Sequence, residues 1–518
     1  MKLNYKRTIL VGFAFFLISA FWQAYDATIP VILTNKFGMS QTWSGVIMAL
    51  DNILAVFMLP LFGALSDKCV SKHGKRTPFI TIGTTVAAVA LVCLSFVDSA
   101  QLRNISDVAT IDDPAALEII YDTQMDKPLL TPEGDTVVLS QTFTKESFTS
   151  ITCKITDSET GKTVTNPDYT NYVAPARQAY AADQTRQNSL PLILFVGLLL
   201  VVLVAMATFR SPAVALMPDV TMKPLRSKAN AIINLMGTAG GILVLVLGMV
   251  FATSAVQNAM MTYTLYYGVI AAIMLGALAI FLLTVREPKW AAEMAADSVK
   301  YGIEEEPDNR NNEKRSLSSS EKRSLLLILA SIALWYFGYN AVTSKYAVYA
   351  GNILDKDYNT TLLLAQAAAI VAYLPAGMVA SKIGRKKTIL AGVVMLATAF
   401  GFASMMRSSS PTWVMNLLFA LAGVAWATIN VNSFPMVVEM CSGADIGKYT
   451  GFYYTASMSA QIVTPMLSGF LMDQRGMTVL FPYAAVFVAL AFVTMFLVRH
   501  GDAKAVAKQG LEALDIED

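Results

Sequence analysis

Charged residues are scarce in this sequence. Asp, Glu, Lys and Arg together make up 15% of the 518 residues, whereas soluble domains contain roughly 25%. Apolar residues make up 55%, and the mean hydropathy is +0.51. This balance excludes an ordinary soluble protein and indicates a chain that lies largely within a lipid bilayer.

Histidine and cysteine are also scarce, which limits the chemistry that the chain can support. The histidines, His73 and His500, lie far apart, and the four cysteines are scattered along the sequence. Neither residue type shows the spacing of a metal site. The sequence also lacks a recognisable nucleophile–base set and a phosphate-binding loop. We therefore expect no enzyme activity, no catalytic residues, no metal and no cofactor.

Long apolar segments are what the sequence has in abundance. A helix needs about 20 predominantly apolar residues to cross a bilayer. Such segments recur twelve times, at 8–33, 41–65, 79–97, 190–218, 229–255, 263–285, 325–350, 360–380, 388–407, 412–438, 449–472 and 478–499. The sequence therefore predicts twelve transmembrane helices.

The basic residues of the short loops predict the orientation. If both termini are cytoplasmic, the cytoplasmic loops hold basic clusters at 68–76, 223–228 and 382–387, and the opposite short loops hold little. This positive-inside bias predicts a multi-pass protein of the plasma (inner) membrane. The bias also accounts for the basic residues, so we expect no nucleic-acid partner. Lys345, near the outer end of the seventh helix, is expected to extend to the membrane surface.

The two halves of the sequence resemble each other. "ISAFWQAYDATI" at 18–29 aligns with "IALWYFGYNAVT" at 332–343. The loop at 408–411 in the second half corresponds to a much longer segment in the first, which indicates an insertion. The predicted organisation is helices 1–3 at 1–97, an extracytoplasmic insert at 98–189, helices 4–6 at 190–285, a cytoplasmic linker at 286–324, helices 7–12 at 325–499 and a cytoplasmic tail at 500–518.

The insert is predicted to be a small β-rich domain. Residues 136–164 alternate apolar and polar side chains and are rich in Thr, Val and Phe, which favours short strands joined near Glu159-Thr160-Gly161. A disordered loop is the alternative. The insert is a candidate contact surface for an extracellular partner or a glycan, and the chain itself is expected to be monomeric.

A polar loop follows the second predicted helix of each half. The first is "GALSDKCVSKHGKRTPF", from Gly63, and the second is "GMVASKIGRKKTI", from Gly377. Together they resemble the loop signature of the major facilitator superfamily, repeated at pseudo-symmetric positions. The resemblance implies an all-α integral membrane protein with twelve transmembrane helices in two pseudo-symmetric six-helix halves.

The long form of the first loop narrows the resemblance. With Thr77-Pro78-Phe79 at its end, it is similar to the loop of sucrose/proton carriers and of glycoside–pentoside–hexuronide cation symporters. Residues 210–237 also resemble the passage from the fourth to the fifth helix of that group. The resemblance implies a sugar carrier. Ala55, Leu59 and Arg210 stand where melibiose-type members carry acids, so a proton is the expected coupling ion, with sodium left open.

The resemblance also implies a role for the loop residues. We expect a cytoplasmic latch that binds neighbouring helix ends in one conformation and releases them in another. Its predicted members are Asp67, Arg76, Asp219, Arg385 and Glu439. The alternative is that these residues only fix the topology.

The repeated segments of the first and seventh helices carry candidate substrate-binding residues. Trp22 and Asp26 are four residues apart and therefore share a helix face. A sugar has hydroxyl edges and an apolar C–H face, so its site needs amide, carboxylate and phenol groups around a flat aromatic surface. The predicted set is Trp22, Gln23, Tyr25, Asp26, Asn52, Tyr336, Tyr339, Asn340, Gln366 and Asn430. Packing in the core or at the lipid interface is the alternative for any single aromatic residue.

Two acids lie inside predicted membrane helices. An intramembrane carboxylate costs roughly 2.5–3.5 kcal/mol even on a lenient insertion scale, so it usually faces a cavity or a partner. We hypothesise that Asp26 or Asp51 carries a coupling proton; a permanent hydrogen bond in helix packing is the alternative. Arg210, deep in the fourth helix, is expected to pair with Asp51 or a substrate oxygen, or to extend to the cytoplasmic surface.

These features predict a proton-coupled symporter for a small sugar, a disaccharide or glycoside, working by alternating access. Two alternatives stay open. One is an exporter or carrier of amphiphilic non-sugar compounds, and the other is a non-transporting receptor that uses the insert.

Overall fold

The computed structural model describes residues 3–156, 163–222, 225–301, 318–438, 440 and 446–500. The chain begins with α1 (Tyr5–Asn35), α2 (Gln41–Asp67) and α3 (Thr77–Asn104). Short polar residues start the first two helices, because the Asn4 side chain accepts a hydrogen bond from the Arg7 backbone N–H and the Ser40 side chain accepts one from Trp43.

The insert follows α3 and is a small mixed domain. A 3₁₀ turn (Ser106–Val108) precedes its elements, and a π-helical turn (Tyr169–Val173) leads into its last helix. The elements are α4 (Pro114–Gln124), β1 (Pro128–Leu130), β2 (Thr136–Val138), α5 (Leu139–Thr142), α6 (Lys145–Thr149), β3 (Lys154–Thr156), β4 (Thr163–Thr165) and α7 (Ala174–Gln187).

The insert contains strands, as predicted, in two antiparallel hairpins, but Leu139–Thr142 and Lys145–Thr149 within the predicted alternating segment are helical. Leu129 pairs with Val137 in the first, and Ile155 pairs with Val164 in the second. The predicted turn at 159–161 lies outside the described residues. The helices α4 and α7 were not predicted, and they give the insert at least as much helix as strand. Apolar side chains of the insert, such as those of Leu117 and Phe148, are fully buried in a core of its own, as a folded domain requires.

The remaining helices follow in two groups. The first group completes the first half and adds a linker helix: α8 (Leu190–Val220), α9 (Arg226–Val250), α10 (Thr264–Thr284) and α11 (Glu287–Lys300). The second group is the second half: α12 (Ser319–Tyr349), α13 (Tyr358–Ile383), α14 (Arg385–Ala403), α15 (Thr412–Val438), α16 (Ile446–Arg475) and α17 (Leu480–Phe496). A capping box of Ser318 and Glu321 starts α12.

Twelve of these helices are long, six in each half. Ten of the described helices are long and apolar enough to cross a membrane by composition. The other two long helices are α13 and α16, which complete the six of the second half. The repeat appears directly in the structure, since α1 and α12 both contain 31 residues and begin and end at aligned positions.

Each half has its own hydrophobic core, and the halves meet along three helix pairs. One core is formed almost wholly by the first half, and a second by the second half. Between the halves, α1 packs on α12, α2 on α16, and α9 on α13. We call the end of the bundle that carries the insert the insert side. A candidate site between the halves is therefore enclosed by helices of both cores.

Candidate functional site

A cavity of about 520 Å³ lies between the two halves. Ligand sites of proteins enclose about 300–1,000 Å³, so its size suits a small molecule. Helices α1, α8 and α9 form the wall on one side, and α12, α13 and α15 form most of the other. Its polar and aromatic lining residues are Phe15, Ser19, Trp22, Gln23, Asp26, Arg210, Asn234, Thr238, Tyr339, Thr343, Gln366, Tyr373, Phe400, Phe419, Trp426 and Asn430.

Aromatic rings line the cavity from both halves. On the second-half wall, Tyr339 and Trp426 stack with their ring centroids 3.7 Å apart and their planes 6° from parallel. Tyr336 packs edge-on against the same indole at 5.2 Å. On the first-half wall, Trp22 is held edge-on by Tyr25 at 5.4 Å. The rings of Trp22, Tyr339 and Trp426 thus give the cavity flat apolar surfaces fixed by neighbouring rings.

Asp26 brings a carboxylate to the cavity. It lies one helical turn after Trp22 on α1, and both side chains line the space. No described residue forms a hydrogen bond or an ion pair with the Asp26 carboxylate. A half-buried acid without a protein partner is free to bind a proton or a substrate hydroxyl.

Two amide side chains link the halves in the cavity wall. The Gln366 Nε2 atom on α13 donates a hydrogen bond to the Gln23 Oε1 atom on α1 at 2.7 Å. Gly241 on α9 and Gly423 on α15 also line the cavity, one from each half. At Gly423, an added Cβ atom would lie only 2.0 Å from the Ala365 carbonyl oxygen, so the close approach of α15 to α13 requires glycine there.

Asp51 and Arg210 form a second charged group beside the cavity. Asp51 does not line the cavity; its Oδ1 atom accepts a hydrogen bond from the Asn52 Nδ2 atom at 2.8 Å. Arg210 lines the cavity, lies over the Trp22 ring at 5.9 Å and is close enough to Asp51 for a favourable charge interaction. Arg210 therefore stands next to both the aromatic surface and the buried acid.

The structure brings together six of the ten predicted substrate-binding residues. The cavity lining contains Trp22, Gln23, Asp26, Tyr339, Gln366 and Asn430. The other four lie elsewhere: Tyr25 is buried in the first core, Asn52 bonds Asp51, Tyr336 packs behind Trp426, and Asn340 has a buried Nδ2 atom without a partner among the described residues.

Helix rotation explains why the mirrored residues do not all reach the cavity. On α1 the cavity side contains Trp22 and Asp26, whereas on α12 it contains Tyr339 and Thr343. The positions that align with Trp22 and Asp26 are Tyr336 and Asn340. The two helices therefore present different faces of the repeat to the shared cavity.

Sequence reasoning missed Trp426, Tyr373 and Thr238. A signal for Trp426 was present, because it lies four residues before Asn430 on α15, the same spacing that joins Trp22 to Asp26 on α1. Both pairs line the cavity. An aromatic residue one turn before a polar one is thus a feature of the site in each half.

The predicted latch residues of the first half meet on the side opposite the insert. The Arg76 guanidinium donates to Asp67 and, from Nε at 2.8 Å, to Asp219 Oδ2. Lys75 approaches Asp219 at 3.3 Å. These partners all belong to the first half. Arg385 is the first residue of α14, and Glu439 lies outside the described residues.

Glu287, at the start of the linker helix α11, is a further member of this group that was not predicted. Its carboxylate accepts hydrogen bonds from the backbone N–H groups of Arg76 at 2.9 Å and Thr77 at 2.8 Å, and from the Thr77 hydroxyl at 2.7 Å. Gly74, with φ of +107°, lies directly against this carboxylate. The group therefore fixes α11 to the start of α3.

On the insert side, hydrogen bonds join the halves. The backbone N–H groups of Gln41 and Thr42, at the start of α2, donate to the Asp473 carboxylate of α16 at 2.7 and 2.8 Å. The Lys345 Nζ atom donates to the Gln41 carbonyl oxygen at 2.6 Å and is fully buried. The expectation that Lys345 extends to the membrane surface was wrong, because this carbonyl provides an acceptor inside the protein. The structure is closed on the insert side.

The insert takes part in this closure. The Thr165 N–H and hydroxyl donate to Asp355 of the second half, and the Met477 N–H donates to the Pro132 carbonyl oxygen at 2.7 Å. On the first half, the Gln178 side chain donates to Asn35 at 3.0 Å. The insert thus contacts both halves at once.

Two family models match parts of this chain, one in each half. Residues 10–101 match the family model described as MFS/sugar transport protein, and residues 356–515 match the one described as Major Facilitator Superfamily. The sucrose transport protein SUC4 of Arabidopsis thaliana is 32% identical over 74 residues, which are 14% of this chain and 14% of that protein. The match to this relative therefore spans about one-seventh of its length.

Solved structures share the fold over almost the whole chain. The xylose transporter XylE from E. coli in an inward open conformation has a TM-score of 0.60 at 14% identity, covering 99% of both chains. A mutant of the nucleoside transporter NupG has a TM-score of 0.55 at 14% identity, covering 94% of this chain and 98% of that one. The predicted fold class is confirmed, and parts of both halves of this chain are similar to the major facilitator superfamily.

Proposed function

We propose that this protein is a proton-coupled symporter for a small sugar, a disaccharide or glycoside, and that Asp26 contributes to both sugar binding and proton coupling. The observation that carries the proposal is the composition of the central cavity. Flat aromatic rings from both halves face one carboxylate and several amides. Stacking suits the apolar C–H face of a sugar, and the polar groups suit its hydroxyls.

The charged groups support a proton as the coupling ion. Asp26 faces the cavity without a cationic partner among the described residues, so its carboxylate is available to a proton or to the substrate. Asp51 lies nearby with Arg210 beside it, so loading or release of a proton at one acid changes the field at the other. If the protonated protein binds sugar better, sugar binding must in turn favour proton uptake.

The closed insert side supports alternating access. If the insert lies outside the cell, as the positive-inside bias predicts, closure on the insert side fits an inward-facing conformation. Outward opening then requires breaking the bonds of Asp473 and Lys345 to α2. The first-half group around Arg76 is proposed to exchange partners in that transition. A potential of 100 mV adds about 2.3 kcal/mol for each translocated charge.

A transport assay in proteoliposomes tests the proposal. The purified protein is reconstituted, a pH gradient is imposed, and a panel of labelled monosaccharides, disaccharides and glycosides is offered together with nucleosides. We expect accumulation of at least one sugar that requires acid on the insert side, and its loss in Asp26→Asn or Asp51→Asn. Accumulation equal to the parent in both variants would exclude these acids as proton carriers. Uptake of nucleosides but of no sugar would exclude a sugar as the substrate.

A further inference from the structure

A second, smaller cavity contains a buried arginine that forms no ion pair with any described residue. This cavity, of about 70 Å³, lies between the insert and the bundle. Arg177 on α7 lines it and is only 2% exposed. The Nε, Nη1 and Nη2 atoms of Arg177 are all buried, and none has a hydrogen-bond partner among the described residues.

An unpaired buried guanidinium calls for a partner. Arginine stays charged in proteins, so it cannot relieve the cost of burial by losing its proton. Burying a charge without pairing is among the most unfavourable arrangements in a folded protein. The guanidinium lies over the Tyr169 ring, whose centroid is 5.8 Å away. A ring face offers weak attraction and no hydrogen-bond acceptor for the N–H groups.

From this geometry we infer that Arg177 and the small cavity form a binding site for a small monovalent anion of the size and charge of chloride. The site is separate from the central cavity and extends beyond the transport function proposed above. A volume of 70 Å³ is far below the roughly 300 Å³ of the smallest typical ligand pockets, which excludes a sugar, but it exceeds that needed for a single water.

The surroundings favour a single negative charge. Asp355 and Asp357 lie on the second-half segment beside the cavity, but both carboxylates already accept hydrogen bonds, from Thr165 and from Ser254 respectively. They do not pair with Arg177. Their charge disfavours a multiply charged anion, so one arginine is matched by one monovalent ion.

All three parts of the protein form the walls of this site. Tyr169 and Arg177 come from the insert, Asn35 and Ser254 from the first half, and Asn352 from the second half. An anion held here contacts parts that must separate when the insert side opens. Its binding therefore favours the conformation closed on the insert side, since a ligand shifts an equilibrium toward the state that binds it better.

A chloride titration tests the site without any transport measurement. The full-length protein in detergent is transferred from sodium gluconate to sodium chloride at constant ionic strength, and its thermal unfolding is followed by tryptophan fluorescence. We expect the midpoint to rise by about 2 °C or more and to reach a plateau. Arg177→Gln should lose this response. Arg186→Gln, which removes an exposed charge from the same helix, should keep it.

Two results of the titration would contradict the site. A parent midpoint that does not change with chloride, or an Arg177→Gln response equal to that of the parent, overturns the site. If Arg177→Gln does not fold, crystals of the parent grown with bromide decide the question. An anomalous peak in contact with the Arg177 guanidinium supports the site. Only water at this position contradicts it.

Discussion

The two walls of the central cavity differ in chemistry although they come from aligned halves of the sequence. The first-half wall carries the charged side chains of Asp26 and Arg210, and the second-half wall carries the stacked rings of Tyr339 and Trp426. The aligned partner of Asp26 is Asn340, which cannot titrate. In the proposed function, the first half therefore responds to protons, and the second half contributes the larger aromatic surface.

In the proposed function, this difference lets a duplicated fold support one coupled reaction. Both halves retain the helices and loops that a rocking motion needs. The titratable groups are concentrated in one half, so protonation changes the charge on one wall only. The following predictions test this division of roles.

The largest expected effect is that of Asp26→Asn. The substitution keeps the shape of the side chain but removes the group proposed to carry the proton, so accumulation driven by a pH gradient should fall more than about tenfold, to equilibration. Its dependence on pH should become flat, since the amide does not titrate. Sugar accumulation in proteoliposomes measures this. The matched Asn340→Ala should retain accumulation, and its loss there as well would contradict the assignment to the first half.

The next largest effect is expected on the free energy of unfolding, at the ion-pair group that Arg76 forms in the first half. Arg76→Gln removes the ion pairs with Asp67 and Asp219. Because Arg76 is buried but Asp67 is largely exposed, we expect a loss of about 1–3 kcal/mol, seen as a lower thermal unfolding midpoint. The exposed Lys68→Gln is the control. Equal midpoints for the two variants would show that the group only sets topology.

A smaller effect is expected on the closure of the insert side, at Asp473, which joins α16 of the second half to α2 of the first. Asp473→Asn leaves the backbone N–H groups of Gln41 and Thr42 without a carboxylate acceptor, which should weaken closure of the insert side by about 1–2 kcal/mol. Distances between spin labels on α2 and α16 should then show a larger open population. Thr42→Val removes only the hydroxyl bond to Asp473 and should have a weaker effect. An unchanged distance distribution in Asp473→Asn would argue against this contact as a gate.

The smallest effect is on affinity, at the aromatic pair. Trp426→Ala removes the ring stacked on Tyr339, and aromatic pairs contribute about 0.5–1.5 kcal/mol beyond their area. We expect the half-saturating sugar concentration to rise between about twofold and tenfold, while Trp426→Phe stays closer to the parent. Equilibrium binding by intrinsic fluorescence or calorimetry checks this. Unchanged affinity in the alanine variant would mean that the sugar contacts the first-half wall alone.

The sequence predicted those parts of the structure that depend on periodicity and repetition. The long apolar segments predicted the membrane helices, and alternation predicted that the insert contains strands. The match of 18–29 to 332–343 located aligned parts of α1 and α12. These signals are local, or arise from duplication, so no knowledge of packing was needed.

The remaining features depend on how helices rotate and approach one another. Tyr339 faces the cavity but Tyr336 does not, because α12 presents a different face from α1. Lys345 is buried because α2 brings a carbonyl oxygen to it. The unpaired guanidinium of Arg177 becomes visible only when the insert packs on both halves. Such contacts join residues far apart in the sequence, and a single sequence does not contain them.

The most direct test of the central claim is sugar-triggered proton movement. Proteoliposomes loaded with a pH-sensitive dye and held without a pH gradient are given a transported sugar. The proposed symport predicts that sugar entry acidifies the lumen in the parent protein and in Asn340→Ala, but not in Asp26→Asn. Sugar entry without any change in lumenal pH in the parent would contradict proton coupling, whichever residues bind the sugar.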